Sequence, residues 1–428
     1  MICYNNKKEV FYVNKFKKIL SVVSAMLIMS LSFAPTFTAY AANTANISVM
    51  KTSVTSNKKD NSTLINKLRK AFDNHEKSLK IENIKLDPDE MGMVFYEALA
   101  DKKYFYVKNY SYYLDKNNKY VTEINIKYLL SSSKADSSRD NFYKCINNYV
   151  SEIDASWTDL QKITYVHDKL IINSDYRAEK DADYTAYGLL TNKIGCCTAY
   201  STAFAMIMKE IGIKTSFAVT SDHMWNLVML NGKWYNIDCT YDDPGYDGEG
   251  EYTSNMCRHS YFMLSSSALT DHNGAKTLYA ANSALYDKMT WNGSVSPMVI
   301  YGSGLIYSDT NGVIRFFNTK DNKITKLTSI TDRWIDWSTY NKANGSYMYD
   351  SNMHISLIKQ GTVMYYNTSC DVYSYDLKTG KKVNIFKYDP LKNSNLNMYG
   401  LRIIDNKLYG IFAKDAVSPE KLMLIKEL

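Results

Sequence analysis

The amino-acid sequence is poor in proline and cysteine, and this narrows the class of protein it can encode. Its 428 residues include only six prolines and seven cysteines, too few cysteines for a small fold held together by disulfides. The formal net charge of +7 is not gathered into basic runs within the body of the chain, so we expect no nucleic-acid partner. Hydrophobic residues make up 45%, enough for a globular core, and the length predicts two or three domains.

The first 41 residues have the composition of a secretory signal peptide. Five lysines precede an apolar run over residues 19–33, and Ala39 and Ala41 form a small-x-small cleavage pattern. Removing this segment, with its five lysines and one glutamate, lowers the formal net charge from +7 to about +3. We therefore predict a secreted, extracellular protein with no membrane partner after cleavage, and leave attachment to the cell wall open. A retained membrane anchor is the alternative, but the apolar run is short for a spanning helix.

Composition and periodicity divide the chain into five segments. They are the signal peptide (1–41), a flexible leader (42–62), an N-terminal helical and α+β extension (63–155), a core (156–280) and a β-rich C-terminal domain (285–428). Helical spacing of apolar residues covers 63–81, 91–99 and 139–175. The C-terminal segment alternates apolar and polar residues between Asn-Gly and Thr-Gly turns, which predicts a partial propeller or a sandwich.

Two adjacent cysteines, Cys196 and Cys197, stand at the start of a predicted helix. Apolar residues recur at helical spacing from Ala199 to Ile211, and Gly212 ends the pattern. Unpaired backbone N–H groups and the helix dipole favour a thiolate at a helix N-terminus, and the same N–H groups can bind an oxyanion. Cys197 is therefore a candidate nucleophile, and a buried core cysteine or a vicinal disulfide is the structural alternative.

Asn231 and Gly232 lie between two strand-like runs and predict a two-residue hairpin loop. The register then pairs Leu230 with Lys233, Met229 with Trp234, Leu227 with Asn236, Trp225 with Asp238 and His223 with Thr240. This register places His223 and Asp238 on the same face of the hairpin as diagonal neighbours. A histidine base and a carboxylate that orients it are the partners that a nucleophilic thiol requires.

These segments resemble the motifs of the transglutaminase-like superfamily, which has a papain-like thiol site. Three stretches carry the resemblance: Gly195 to Tyr200, His223 to Asn226, and Trp234 to Pro244. The resemblance implies an α+β fold in which a helix carrying the cysteine packs on an antiparallel sheet. It also implies a catalytic triad and two substrate contacts. The triad comprises Cys197, His223 and Asp238, and the substrate contacts are Trp225 and Tyr200.

The activity implied by the resemblance is acyl transfer from peptide amides through a thioester at Cys197. Water as acceptor gives a cysteine protease or amidase, and a lysine amine gives a cross-linking transglutaminase; the sequence leaves both open. We expect a protein or peptide substrate, no cofactor and no metal. Two alternatives stay open: Cys196 as the nucleophile, and a non-catalytic surface-binding or adaptor protein.

Other chemistry-bearing residues have a structural interpretation. His167 and Asp168 lie on a predicted helix, and Asp271 and His272 close the core segment; we expect both pairs to support the structure. The acidic residues between 242 and 251 lack the spacing of an EF-hand. We expect them to form a solvated loop rather than a calcium site.

Overall fold

The computed structural model describes residues 2–5, 9–12, 61–247, 255–392 and 395–428, the first two ranges and residues 246–247 by their backbone alone. The predicted flexible leader, apart from its last two residues, and most of the predicted signal peptide lie outside the described residues. Within the described parts of the chain, no helix combines the length and hydrophobicity that a membrane span requires. Secretion stays a prediction.

The described residues contain α-helices at the positions that helical spacing indicates, and one more at Ala186–Asn192 that no predicted range includes. Two of the predicted ranges differ in extent. The helices are α1 Ser62–Asp73, α2 Pro88–Leu99, α3 Ser132–Val150, α4 Asp159–Ile172, α5 Ala186–Asn192 and α6 Cys197–Glu210. The first predicted helix stops early because His75 has a positive φ of 50° and the chain turns into a strand, so the predicted extension to residue 81 is wrong. The predicted helical stretch 139–175 is two helices separated by residues 151–158.

The N-terminal extension contains an antiparallel sheet, which also includes two short strands from the predicted signal peptide. Its strands are β1 Ile2–Asn5, β2 Glu9–Tyr12, β3 Ser78–Lys80, β4 Val107–Leu114 and β5 Val121–Tyr128, in the order β1-β2-β4-β5-β3. Two tyrosine-containing segments with strand-like sequences, residues 104–115 and 119–130, contain β4 and β5. Their buried side chains, Tyr110 and Ile124 among them, join the hydrophobic core under α1 and α2.

The core contains a second antiparallel sheet and a short parallel pair. The pair is β6 Asp175–Tyr176 with β7 Ile194–Gly195, and the sheet comprises β8 Thr215–Val219, β9 Met224–Leu230, β10 Lys233–Ile237, β11 Phe262–Leu264 and β12 Lys276–Thr277. The strand order is β11-β10-β9-β8-β12, and α6 packs against β8 and β9. The predicted architecture, a cysteine-bearing helix on an antiparallel sheet, is confirmed.

The C-terminal region consists of four antiparallel sheets whose strands are consecutive in sequence. They are β13 Val299–Tyr301, β14 Gly304–Ser308, β15 Val313–Asn318 and β16 Ile324–Ser329; β17 Ile335–Asn341 and β18 Ser346–Tyr349; β19 Leu357–Gln360, β20 Val363–Asn367, β21 Asp371–Asp376 and β22 Lys382–Lys387; and β23 Asn397–Ile404, β24 Lys407–Ala413 and β25 Lys421–Glu427. The β-rich prediction is confirmed, and none of the described sheets closes into a barrel.

One hydrophobic cluster runs from Leu64 in α1 through the core sheet to Phe317 in β15. Polar contacts reinforce it, since the amide of Gln161 in α4 donates to the carbonyls of Gly302 and Gly304 at 3.0 Å each. The N-terminal extension, the core and the first C-terminal sheet are therefore packed as one body. This packing holds the helices and strands that carry the candidate site.

Candidate active site

The start of α6 is shaped by the residue before the two cysteines. A Cβ at Gly195 would lie 2.7 Å from Cβ of Ala199 and 2.8 Å from Cδ1 of Leu189, closer than packed carbon atoms approach. Cys196 follows as the N-cap, and Cys197 is the first helical residue. The predicted helix start is confirmed.

The hairpin that carries the histidine has the predicted register. Asn231 and Gly232 both have positive φ, 50° and 76°, as a type I′ turn requires. The observed pairs run from Leu230 with Lys233 to Asn226 with Ile237, and include the predicted pairs of Met229 with Trp234 and Leu227 with Asn236. The ladder ends there, so the last two predicted pairs, Trp225 with Asp238 and His223 with Thr240, are not part of it.

His223 and Asp238 nevertheless meet just beyond the end of the ladder. Nε2 of His223 lies 2.5 Å from Oδ2 of Asp238, and the backbone N–H groups of Thr240 and Tyr241 donate to Oδ1 of Asp238 at 2.9 and 3.2 Å. Burial alone would raise the pKa of Asp238, but the charge of His223 and the hydrogen bonds from His223 and His272 lower it. Because Nε2 is engaged, Nδ1 is the ring nitrogen that remains for a thiol.

Hydrogen bonds between α6 and β9 bring Cys197 to the histidine, a contact that sequence spacing alone does not show. One turn into α6, the Ser201 hydroxyl donates to the carbonyl of Met224 at 2.9 Å, and the Asn226 side chain donates to the carbonyl of Ser201 at 3.1 Å. The backbone N–H of Met224 also donates to the Cys197 thiol. These bonds fix the first turn of α6 beside the residue that follows His223.

Cys197 and His223 line one cavity of about 290 Å³. Its far wall comes from the N-terminal extension, where Lys108 in β4 pairs with Asp181 at 2.6 Å. The remaining described lining includes the following side chains: Tyr96, Tyr110, Lys127, Tyr184, Thr198 and Asp222. This wall could not be predicted from the sequence, because it comes from strands about 70 to 90 residues before Cys197 and no motif in the sequence marks them.

The two adjacent thiols interact, and the helix start acts on Cys196 rather than on Cys197. Cys196 shares a hydrogen bond with Cys197, and this bond lowers the pKa of Cys196 to about 7. Hydrogen bonds from Thr198 and from the Ala199 N–H act in the same direction, whereas burial opposes them. The bond to Cys196 and burial raise the pKa of Cys197. The opposite directions for the two thiols arise first from the hydrogen bond they share, and ionisation of Cys197 at the helix N-terminus stays a prediction. Cys197 is 4% exposed and lines the cavity, whereas Cys196 is fully buried and does not.

The two residues expected to contact substrate are enclosed by protein. Trp225 donates from Nε1 to the side chain of Asn236 at 3.0 Å, and the Tyr200 hydroxyl donates to Asp243 at 2.5 Å. Both are at most 2% exposed, and neither lines the cavity. A direct substrate contact by either residue stays a prediction, and their observed contacts are structural.

The acidic residues after β10 are not a solvated loop where the structure describes them, which corrects the sequence interpretation. Asp242 and Asp243 are buried, and Asp242 accepts from the backbone N–H of Tyr261 at 3.0 Å and from Nε2 of His167 at 3.1 Å. Asp243 accepts from Tyr200 and from the backbone N–H of Gly245. Glu249 and Glu251 lie outside the described residues.

Two groups of described residues bring together side chains of the metal-ligand type. They are His167, Asp168, Cys257 and His259, and His223, Asp238 and His272. In the first group Asp168 already accepts from His167 at 2.8 Å, from His259 at 2.9 Å and from the backbone N–H of Met298 at 2.7 Å. Protein donors thus satisfy the carboxylate in each group, and the contacts are those of hydrogen-bonded networks.

Comparison with known families identifies the part of the chain that contains the site. Residues 147–239 match the sequence model of the transglutaminase-like superfamily, and this range includes Cys197, His223 and Asp238. This part of the chain is a transglutaminase-like core. A comparison with curated proteins gives no match.

Solved structures show only distant similarity. They include a TGase (12% identity over 28% of this chain and 41% of that chain, TM-score 0.22) and glutaminyl cyclase from Myxococcus xanthus (11% identity over 50% of this chain and 75% of that one, TM-score 0.20). A third is the computationally designed Ika4 protein (11% identity, 31% and 66% coverage, TM-score 0.19). This chain thus spans less than half of the TGase, and these TM-scores are too low to carry an argument.

Proposed function

We propose that the chain is a secreted thiol-dependent enzyme that transfers or hydrolyses the acyl group of peptide amides. The observation that carries this proposal is the shared cavity of Cys197 and His223, with His223 held by Asp238 at 2.5 Å. A thiol, a base and a carboxylate that orients the base are the parts of a thiol acyl-transfer site. Peptide amides of the cell wall or of surface proteins are the substrates we propose for a secreted chain.

The reaction has two halves. The Cys197 thiol gives its proton to Nδ1 of His223, and the sulfur attacks the amide carbonyl carbon. The imidazolium then protonates the departing amine, which breaks the carbon–nitrogen bond and leaves a thioester on Cys197. Water or a second amine gives its proton to His223, attacks the thioester and releases Cys197. Asp238 holds the imidazole orientation and stabilises its charged form throughout.

The proposal is tested by incubating the purified chain with a glutamine-containing peptide and a labelled amine, following both amine incorporation and hydrolysis. Cys197→Ala should abolish both reactions, and Asp238→Asn should slow them at least about a hundredfold, since loss of the orienting carboxylate leaves the wrong tautomer. The matched control is Cys370→Ala, which removes a half-buried thiol of the C-terminal region and should leave the rates unchanged. Full activity of the Cys197→Ala chain would refute the proposal.

A non-catalytic peptide-binding protein is the second candidate, and one observation favours it. Only 4% of Cys197 is exposed, so a substrate carbonyl reaches the sulfur only by entering the cavity. Saturable peptide binding without turnover, unchanged by Cys197→Ala, would select this candidate. Incorporation or hydrolysis in the same assay would reject it.

A further inference from the structure

His272 contacts the same carboxylate as His223, although it lies outside the segment that matches the superfamily model. Its Nε2 donates to Oδ2 of Asp238 at 3.0 Å, and its Nδ1 donates to Oδ1 of Asp271 at 2.7 Å. The Tyr261 hydroxyl in turn donates to Oδ2 of Asp271 at 2.5 Å. A continuous chain of hydrogen bonds thus runs from Asp271 through His272 and Asp238 to His223.

Both ring nitrogens of His272 face a carboxylate, which only a doubly protonated imidazolium satisfies with two donated hydrogens. Its side chain is 2% exposed, so the charge is held inside the protein. Burial lowers the pKa of His272, but hydrogen bonds to Asp238 and Asp271 and the charges of both carboxylates outweigh burial and raise it. The local geometry therefore selects the charged form.

Aromatic rings close around this imidazolium. The ring centroids of Trp225, Tyr241 and Tyr261 lie 4.5, 4.7 and 5.2 Å from that of His272, within the range in which aromatic rings attract a cation. The planes of the Trp225 and His272 rings are inclined at 86° to each other. These contacts give Trp225 a defined role at the site without a substrate contact.

We propose that His272 is a positioning residue of the thiol site: held between Asp271 and Asp238, it fixes the Asp238 carboxylate and sets the electrostatic field in which Cys197 and His223 exchange their proton. Without it, Asp238 would keep His223 and two backbone N–H groups as partners and lose its second side-chain donor. The inference rests on the proposed function, since it assigns a role in that reaction.

The expected effect follows from the distance between the two imidazole rings. Their centroids lie 5.5 Å apart, and a unit charge at that distance shifts a titration by about 0.5–2 pH units, for effective dielectric constants between those of water and of a protein site. The titratable groups that face His272 are Asp238, Asp271, His223, Tyr241 and Tyr261. Removal of the positive charge makes the thiolate harder to form and the His223 imidazolium harder to deprotonate.

The test is the pH dependence of Cys197 alkylation by iodoacetamide, in a Cys196→Ser background so that one thiol of the pair titrates. The label is located by tandem mass spectrometry. The pH window of the thiolate–imidazolium pair is the range between ionisation of the Cys197 thiol and deprotonation of the His223 imidazolium. In His272→Gln, which replaces the charged ring with a neutral donor, both limits of this window should move upward by about 0.5–2 pH units. The matched control is His354→Gln, which removes another buried histidine, bonded to Asp350 at 2.8 Å in the C-terminal region. Its window should not move.

An unmoved or downward-shifted window in a folded His272→Gln chain would overturn the proposal. If that variant does not fold, 15N spectra of the histidine-labelled unaltered chain decide, because a neutral His272 ring at pH 7 would equally overturn it. Alkylation needs no amide substrate, so the two proposals fail separately. If the pH range of alkylation moves but no amide is turned over, His272 keeps its electrostatic role and acyl transfer is rejected. If amides are turned over but the pH range does not move, acyl transfer stands and the role of His272 is rejected.

Discussion

Replacing His167 with glutamine should remove a pH dependence of stability that the unaltered chain shows between pH 6.5 and about 9. His167 is fully buried in α4 and donates to two carboxylates, from Nδ1 to Asp168 at 2.8 Å and from Nε2 to Asp242 at 3.1 Å. Burial lowers the pKa of His167, but the hydrogen bonds to these carboxylates and their charges raise it from 6.5 to about 9. The folded chain therefore binds this proton more tightly than the unfolded chain does.

The sign and size of the effect follow from that difference. Because the pKa of His167 is higher in the folded chain, its stabilising contribution is complete below pH 6.5 and is lost as the pH rises to about 9. At 1.36 kcal/mol for each pKa unit, the total loss is about 3 kcal/mol in the free energy of unfolding. Such a loss is a large fraction of the stability of an ordinary domain.

Denaturant unfolding at pH 6, 7.5 and 9 measures the effect. His167→Gln should be less stable than the unaltered chain at pH 6. The difference in the free energy of unfolding between the two chains should shrink by about 3 kcal/mol as the pH rises to 9. Asp242→Asn removes one of the two carboxylates that raise the pKa of His167. Its decline should therefore end at a lower pH and be smaller than that of the unaltered chain. His354→Gln, which leaves this network intact, should keep the decline. A difference between the unaltered chain and His167→Gln that stays constant from pH 6 to 9 would show that His167 does not carry this pH dependence.

Three further variants test how the site is supported. Gln161→Ala leaves the carbonyls of Gly302 and Gly304 without a side-chain donor. It should lower the free energy of unfolding by about 2–4 kcal/mol in a denaturant titration. A loss below about 0.5 kcal/mol would show that this contact contributes little to stability. Gly188→Ala places a Cβ 2.1 Å from the carbonyl oxygen of Ala182, so it should displace the turn that lines the cavity. Both the melting temperature and the labelling of Cys197 should fall, and unchanged values of both would contradict the close packing. Lys108→Ala removes the ion pair with Asp181 at the cavity and should raise the KM of a peptide substrate about two- to fivefold with kcat unchanged. A fall in kcat with an unchanged KM would show that Lys108 does not contribute to substrate binding.

Local sequence rules were sufficient for the hairpin and for the start of α6. Asn231 and Gly232 supply the two positive φ angles of a two-residue loop, and a loop of that length determines the register of the ladder from Leu230 with Lys233 to Asn226 with Ile237. The start of the helix follows from apolar periodicity after the paired cysteines. The proximity of His223 and Asp238 could therefore be predicted without any contact between distant segments.

The rest of the site depends on contacts between segments far apart in sequence. Lys108 reaches the cavity because β4 packs beside the core, and His272 reaches Asp238 only after the chain has passed through β11. Asp242 and Asp243 look like surface acids by composition, yet buried donors at Tyr261 and Tyr200 hold them inside. Periodicity and turn chemistry contain no information about such partners.

In the proposed reaction Cys197, and not Cys196, is the nucleophile, and His223 activates it. The most direct measurement is labelling by a thiol-directed amide-mimic probe, with the modified residue located by mass spectrometry in the unaltered chain, in Cys196→Ala and in Cys197→Ala. We expect label on Cys197 in the first two chains, loss of labelling in the third, and strong reduction in His223→Ala. Labelling that survives in Cys197→Ala and disappears in Cys196→Ala would contradict this assignment.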